Sequence, residues 1–181
     1  MKIYWTLSQN CIFIEFLIIR SQVQHWMFVS ATLTPSLKKF IIDRFEEESL
    51  NFLIASKTHY NLANLEHNFI PTEGQNKLTL LHETLKSIFN GKYDKYVVIF
   101  CNSIKCVRAL DYFIKKIEFK CNSLHGEMPI SIRSEVHDNF KNKRVNILIS
   151  TDLASRGLNF EFVDFVINFD FPHSTNDYLH R

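Results

Sequence analysis

The chain has 181 residues, 46% apolar and 14% aromatic, with a formal net charge of +2. That is enough apolar material for one buried core and part of another, which excludes a disordered chain. The mild charge excludes a polybasic nucleic-acid binder but allows one local basic groove, and with four glycines and four prolines there is little material for glycine-rich phosphate cradles.

From the amino terminus, Cys11 to Ile19 is apolar but contains Glu15 and falls short of the ~20 residues that cross a bilayer. A single Lys2 and no small-residue cleavage site argue against a secretory signal. Trp26 to Ser30 reads as a short strand running into Ser30-Ala31-Thr32, and Ser36 to Phe45 as a helix with Leu37, Phe40 and Ile41 at helical spacing. Phe52 to Ala55 and His67 to Pro71 look extended, with a polar linker between them. From Lys77 to Phe89, Leu78, Leu81, Leu85 and Ile88 form one apolar stripe, and Asn90-Gly91 supplies a left-handed stop.

Tyr96 to Phe100 is a continuous β-branched and aromatic run, as expected of a strand covered on both faces. Ser103 to Ile117 then reads as a helix burying Val107, Leu110, Ile114 and Ile117. Cys121 to Leu124 follows as strand, Pro129 to Phe140 as helix with Ile132, Val136 and Phe140 on one face, and Val145 to Ile149 and Phe162 to Phe169 as strands. Such alternation with short connections predicts an α/β fold, a parallel sheet with helices on both faces. In that architecture ligands sit beyond the carboxyl ends of the strands. Four polar clusters fall there: Ser30-Ala31-Thr32, Asn102-Ser103, His125-Gly126 and Ser150-Thr151-Asp152.

Each cluster taken singly reads best as the N-cap of the next helix. His125 and Glu127 have the His-x-Glu spacing of zinc deaminases but no Pro-Cys-x-x-Cys follows, so no metal site is expected. Lys141, Lys143 and Arg144 read as a solvated turn before a basic patch. Cys11, Cys101, Cys106 and Cys121 contain no C-x-x-C pair, which favours a reduced intracellular compartment over a disulfide or zinc framework. The ordered set of clusters carries more weight than any one of them.

In order, SATLTP (30–35), VVIFCNS (97–103), LHGEM (124–128), Arg133 with Phe140, ISTDLASRGLNF (149–160), VINFDFP (166–172) and YLHR (178–181) resemble the DEAD-box RNA helicases. The resemblance runs from about Gln22 to Arg181. It implies two RecA-like, P-loop NTPase-type lobes with ATP in the cleft between them and single-stranded RNA across both. On that basis residues 1–48 are a remnant of the first lobe, 49–77 the inter-lobe strand and linker, and 78–181 the helicase C-terminal lobe.

The resemblance implies RNA contacts by Asn102, Ser103, Gly126, Arg133, Thr151, Arg156 and Gly157. The chemistry suits them: hydroxyls, a guanidinium and glycine-permitted close approach read phosphates and sugars, giving binding without sequence preference. Coupling of hydrolysis to strand separation would fall to Ser30, Ala31, Thr32, Asp152, His180 and Arg181, and nucleotide contact to Asn159 and Arg181. Two positions depart from the family's pattern. Asn159 stands where Asp is usual, keeping an acceptor but losing its charge, and Ile130 stands where Gln is usual.

ATP hydrolysis with Mg²⁺ needs a phosphate loop, a metal-holding carboxylate and arginines from the second lobe. No G-x-x-x-x-G-K-[ST] or Asp-Glu-x-Asp occurs in the sequence, and the family's His-Arg motif continues with two arginines beyond Arg181. Two readings therefore stand. One is a piece of an ATP-dependent RNA helicase that neither binds nucleotide tightly nor turns it over alone, wants its missing first-lobe region, and has a sheet edge prone to self-association. The other is a standalone RNA-binding or decoy module. Neither involves a membrane, and the sequence names no protein partner.

Overall fold

The computed structural model describes residues 5–6, 28–29, 33, 35–45, 50–53, 65–152 and 160–181. The chain divides into two compact units, Met1–Ala63 and Asn64–Arg181.

In the first unit, β1 (Trp5–Thr6) pairs in parallel with β2 (Phe28–Val29), Trp5 opposite Phe28 and Thr6 opposite Val29. Helix α1 (Pro35–Ile42) begins on a proline, whose missing N–H costs nothing in a first turn. It buries Ile41. Arg44, just past its end, lays its guanidinium over the Phe40 ring at 3.7 Å.

The second unit holds a sheet in the order β4-β5-β3-β6, with every pairing parallel. Helix α2 (Lys77–Phe89) is opened by Asn76, whose side chain accepts from the Leu78 N–H at 2.9 Å, and closed by Asn90 at φ 40° and Gly91 at φ 74°. Strand β3 (Val97–Cys101) leads through the Ser103 cap into α3 (Ile104–Lys116), β4 (Cys121–Leu124) into α4 (Ile130–Lys141), and β5 (Ile147–Thr151) is followed by β6 (Phe165–Asn168). A last short helix, α5 (Thr175–His180), completes the described elements.

Strand alternation sends side chains to two cores. Val97, Ile99, Cys101, Ile147 and Ile149 meet α2 and α3 through Leu81, Leu85, Phe89, Val107, Leu110 and Ile114. Val98, Phe100 and Leu148 point the other way and meet Val136 and Phe140 of α4. Helices therefore cover both faces, the arrangement expected of a RecA-like lobe. On the α4 side Phe140 is fully buried among Tyr96, Phe160 and Phe162.

Several expectations change. Residues 51–53 and 65–72, read as partly extended, pair with no strand among the described residues, and Ile54 and Ala55 lie outside the described residues. The strand read as 162–169 is confined to 165–168, because Phe160 and Phe162 turn into the aromatic core instead of pairing. Ile132 was placed on the buried stripe of α4 but is 41% exposed, since only Val136 and Phe140 reach the sheet. Among the described strands β6 lies at the sheet's edge, with Phe165 and Val166 exposed.

Candidate functional site

Parallel register brings the carboxyl ends of three strands level. Cys101 lies opposite Thr151, and Phe100 opposite Asn168. Asn102, Asp152 and Asp170, which follow these strand ends, therefore collect on one rim of the sheet, where α/β folds present their ligands.

Arg181 sits in the middle of that rim with 1% of its side chain exposed. Its Nε donates to Asp152 Oδ1 at 2.5 Å and its Nη2 to Asp152 Oδ2 at 2.8 Å, a bidentate fork. Nη2 also donates to Asn102 Oδ1 at 2.6 Å, and Nη1 to Asn168 Oδ1 at 3.1 Å and the Asp170 carbonyl at 2.7 Å. Five hydrogen bonds use the five donors a guanidinium has. Arg181 also lies over the Phe100 ring at 5.4 Å. Helix α5 carries it there: Ser174 accepts from the Asp177 N–H at 3.1 Å and donates to the Asp177 carboxylate at 2.7 Å.

Asn102 is equally engaged. Its backbone N–H donates to Asp170 Oδ2 at 3.1 Å and its side-chain amide to the Phe171 carbonyl at 2.9 Å. Ser103 caps α3, accepting from the Cys106 N–H at 3.2 Å. Thr151 is buried and Asp152 half-buried, while Gly126 lies exposed in the turn after β4. His180 is exposed on α5. Ser30, Ala31, Thr32, Arg156, Gly157 and Asn159 lie outside the described residues.

Arg133 stands apart from its fellow arginines. Among the described arginines, Arg44, Arg108, Arg144 and Arg181 each donate to a protein acceptor, whereas Arg133 Nε has no partner among the described residues, though it is shielded from water. A guanidinium left so is suited to an anionic oxygen from outside the chain.

Asp170 belongs to the VINFDFP element but is not among the site residues that the resemblance implies. Burial raises its pKa, yet bonds from the Asn102 N–H, the Cys106 thiol and Lys77 outweigh that and hold the carboxyl below its ordinary range. Lys77 Nζ lies 3.3 Å from Asp170 Oδ1 across 93 residues of sequence, a distance at which no local pattern could reveal the pair. Burial drives the Cys101 thiol pKa up strongly, and raises that of Cys106, so both carry protons at neutral pH.

The helicase conserved C-terminal domain family matches residues 76–181. The chain belongs to the helicase C-terminal domain family, in its DEAD-box branch. It is 34% identical over 160 residues to the mouse (Mus musculus) probable ATP-dependent RNA helicase DDX28, covering 86% of this chain and 29% of that protein. It is 35% identical over 159 residues to DEAD-box ATP-dependent RNA helicase 39 of Arabidopsis thaliana, covering 86% and 25%. The chain thus spans about a quarter to under a third of these relatives' length. Among solved structures, E. coli DEAD-box protein SrmB, bound to regulator of ribonuclease activity A, superposes with TM-score 0.51 at 33% identity, over 58% of this chain and 59% of that one. S. cerevisiae Dbp5 bound to RNA and ADP BeF3 superposes with TM-score 0.69 at 22% identity, over 85% and 40%, a likeness of fold.

Asn159, one of the two residues that the resemblance assigns to nucleotide contact, lies outside the described residues of this helicase lobe. Arg181, assigned to nucleotide contact from the resemblance, spends every donor on the chain itself, because the rim's carboxylate and carbonyl oxygens converge on it. Mg²⁺ finds no suitable set either: the one group of potential metal ligands among the described residues is Cys101, Cys106 and Asp170, too rich in sulfur for a hard cation. No step is assigned to ATP through these residues.

His125 in the LHG element is 7% exposed, and its Nδ1 has no partner among the described residues. Burial lowers its pKa from the ordinary 6.5; Arg108 adds to this while Glu127 and Asp111 oppose it. The unfolded chain then binds the proton more readily, so the stabilisation is present above about pH 6.5 and is lost as pH falls through the folded value. Urea midpoints are expected to fall between about pH 7 and pH 5, and His125→Gln to flatten that slope. An unchanged slope in the variant would refute the assignment.

Proposed function

We propose that this chain supplies the RNA-gripping second lobe of a DEAD-box RNA helicase, whose whole protein remodels or unwinds RNA at the expense of ATP. Residues 1–48 belong to the first lobe on this reading, 49–77 to the connector and 78–181 to the second lobe. The observation that carries it is Arg133, whose Nε has no acceptor among the described residues, on the helix that follows the strand-end turn holding Gly126. Thr151 would join the same backbone-reading role, as would Arg156 and Gly157 by the family's motif, with Asn102 and Ser103 contributing through the rim they build. RNA-bound relatives of the same fold, such as Dbp5, support the choice of ligand. The free thiols at Cys101, Cys106 and Cys121 suit a reducing intracellular setting.

These 181 residues contain neither a phosphate loop nor an Asp-Glu-x-Asp element, so the chain by itself is proposed not to hydrolyse ATP. The test is a fluorescence-anisotropy titration with unrelated single-stranded RNAs at several salt concentrations. Binding is expected to be weak, salt-sensitive, indifferent to sequence and unchanged by ATP. Arg133→Ala should weaken it for all sequences alike and lower the salt slope by about one, whereas Arg108→Ala, which removes an exposed ion pair with Glu127, should not. No RNA binding at low salt, or equal effects of the two substitutions, would overturn the reading. RNA-stimulated ATP turnover abolished by Arg156→Ala would overturn the claim of inactivity.

A further inference from the structure

Cys101 ends β3, Cys106 stands in the first turn of α3 and Asp170 follows β6, and one ligand atom from each lies within 4.8 Å of the others. We propose that they form a binding site for a borderline-soft divalent cation of the Zn²⁺ class, held by two thiolates and one carboxylate, with its fourth position open to solvent.

The three side chains are brought together by separate features of the fold. The backbone at Cys101 is held by pairing with Thr151, that of Cys106 by the Ser103 cap at 3.2 Å, and the carboxylate of Asp170 by the Asn102 N–H at 3.1 Å. No rearrangement of the backbone is needed, since the two sulfurs and a carboxylate oxygen already lie within 4.8 Å of one another. A tetrahedral ion with Zn–S of about 2.3 Å and Zn–O of about 2.1 Å sets its ligand atoms roughly 3.5–3.8 Å apart. Side-chain rotations of about an ångström at most would complete that geometry from the present positions.

Two sulfurs and one oxygen select against Mg²⁺ and Ca²⁺, which take oxygen ligands, and in favour of zinc-like ions. Charge also balances. Two neutral thiols, the Asp170 carboxylate and the Lys77 ammonium sum to zero now. Binding releases two thiol protons to solvent while a doubly charged cation enters, so the sum stays zero with Lys77 still alongside. No atom is oxidised or reduced. Asp170 is 24% exposed and Lys77 50%, which leaves a route for the ion and room for a water as fourth ligand. The bound ion would tie β3, α3 and the segment after β6, and two of these contribute to the Arg181 network through Asn102 and Asp170.

The full chain, kept reduced with a non-thiol reductant, is to be titrated with Co²⁺ as a spectroscopic probe and then with Zn²⁺ as competitor. Sulfur-to-cobalt charge-transfer and tetrahedral ligand-field bands are expected, with two protons released per ion and the bands lost as Zn²⁺ displaces Co²⁺. Cys106→Ala and Asp170→Asn should each weaken Zn²⁺ binding by roughly tenfold or more, while Cys121→Ala should leave it unchanged. Far-UV circular dichroism reports whether each variant folds; should Cys106→Ala not fold, Cys106→Ser keeps the shape and removes the soft ligand. Absence of the bands in the folded, reduced chain, their survival in the Cys106 variant, or their loss in Cys121→Ala would overturn the proposal.

Discussion

Replacing Arg181 with alanine is expected to lower the unfolding free energy by about 2–4 kcal/mol, measured by urea denaturation followed by circular dichroism. The magnitude follows from what is left behind. Breaking a buried ion pair by removing one partner typically costs about 3–5 kcal/mol, because the surviving charge stays desolvated. Here Asp152 keeps 25% of its side chain exposed, so water recovers part of that loss. The Asn102, Asn168 and Asp170 oxygens lose their donor as well, each at a modest further cost. Arg181→Lys is expected to recover little, since an ammonium cannot make the bidentate fork to Asp152 and reach three other acceptors in one plane. A loss under about 1 kcal/mol for the alanine variant, at unchanged denaturant slope, would mean that this network does not hold the rim together.

Phe140→Ala is expected to cost about 3–5 kcal/mol in the same assay, the usual range for deleting a buried aromatic ring. Phe140 is fully buried. Its ring meets Phe160 edge-on at 4.9 Å and 82°, and Phe162 at 5.4 Å and 45°. Such pairs add about 0.5–1.5 kcal/mol each beyond area burial. The cavity would open beneath α4, the helix that carries Arg133, so RNA affinity should fall together with stability. Phe140→Leu keeps most of the volume and should lose about 1–2 kcal/mol. A loss for Phe140→Leu near zero would show that ring packing contributes nothing here, and a loss equal to that of Phe140→Ala would show that volume alone contributes nothing.

Most of the helices were legible locally. Leu81 and Leu85 in α2 and Val107, Leu110 and Ile114 in α3 recur at helical spacing, and all are buried. Asn90-Gly91 stopped α2 as left-handed residues do. The continuous apolar run of β3 announced a central strand, and its residues are buried on both faces. Helix α5 was not anticipated, although Ser174 and Asp177 have the spacing of a capping box, which the sequence displays plainly. Ile132 shows the opposite failure. Periodicity reports which face of a helix is apolar but not how far the sheet beneath it extends.

The roles at the rim were less legible. Asn102 and Asp152 were expected there from their places after strands, but the sequence did not say whether they would face a ligand or the chain. Arg181 resolves this, since its partners lie 29 residues away at Asp152 and 79 at Asn102. The pairing of Lys77 with Asp170 and the meeting of Cys101, Cys106 and Asp170 likewise depend on the order in which strands lie side by side.

The amino-acid sequence by itself determined the α/β class, the principal helices and central strand, and the helicase family, because periodicity, capping and motif order are local and act within a few residues. The tertiary structure alone decided that Arg181 clamps the rim, that Arg133 Nε has no acceptor among the described residues, and that two cysteines meet an aspartate. Those outcomes depend on strand order β4-β5-β3-β6 and on register, which bring distant residues within a few ångströms, where hydrogen bonding and charge choose among partners that no local spacing can rank.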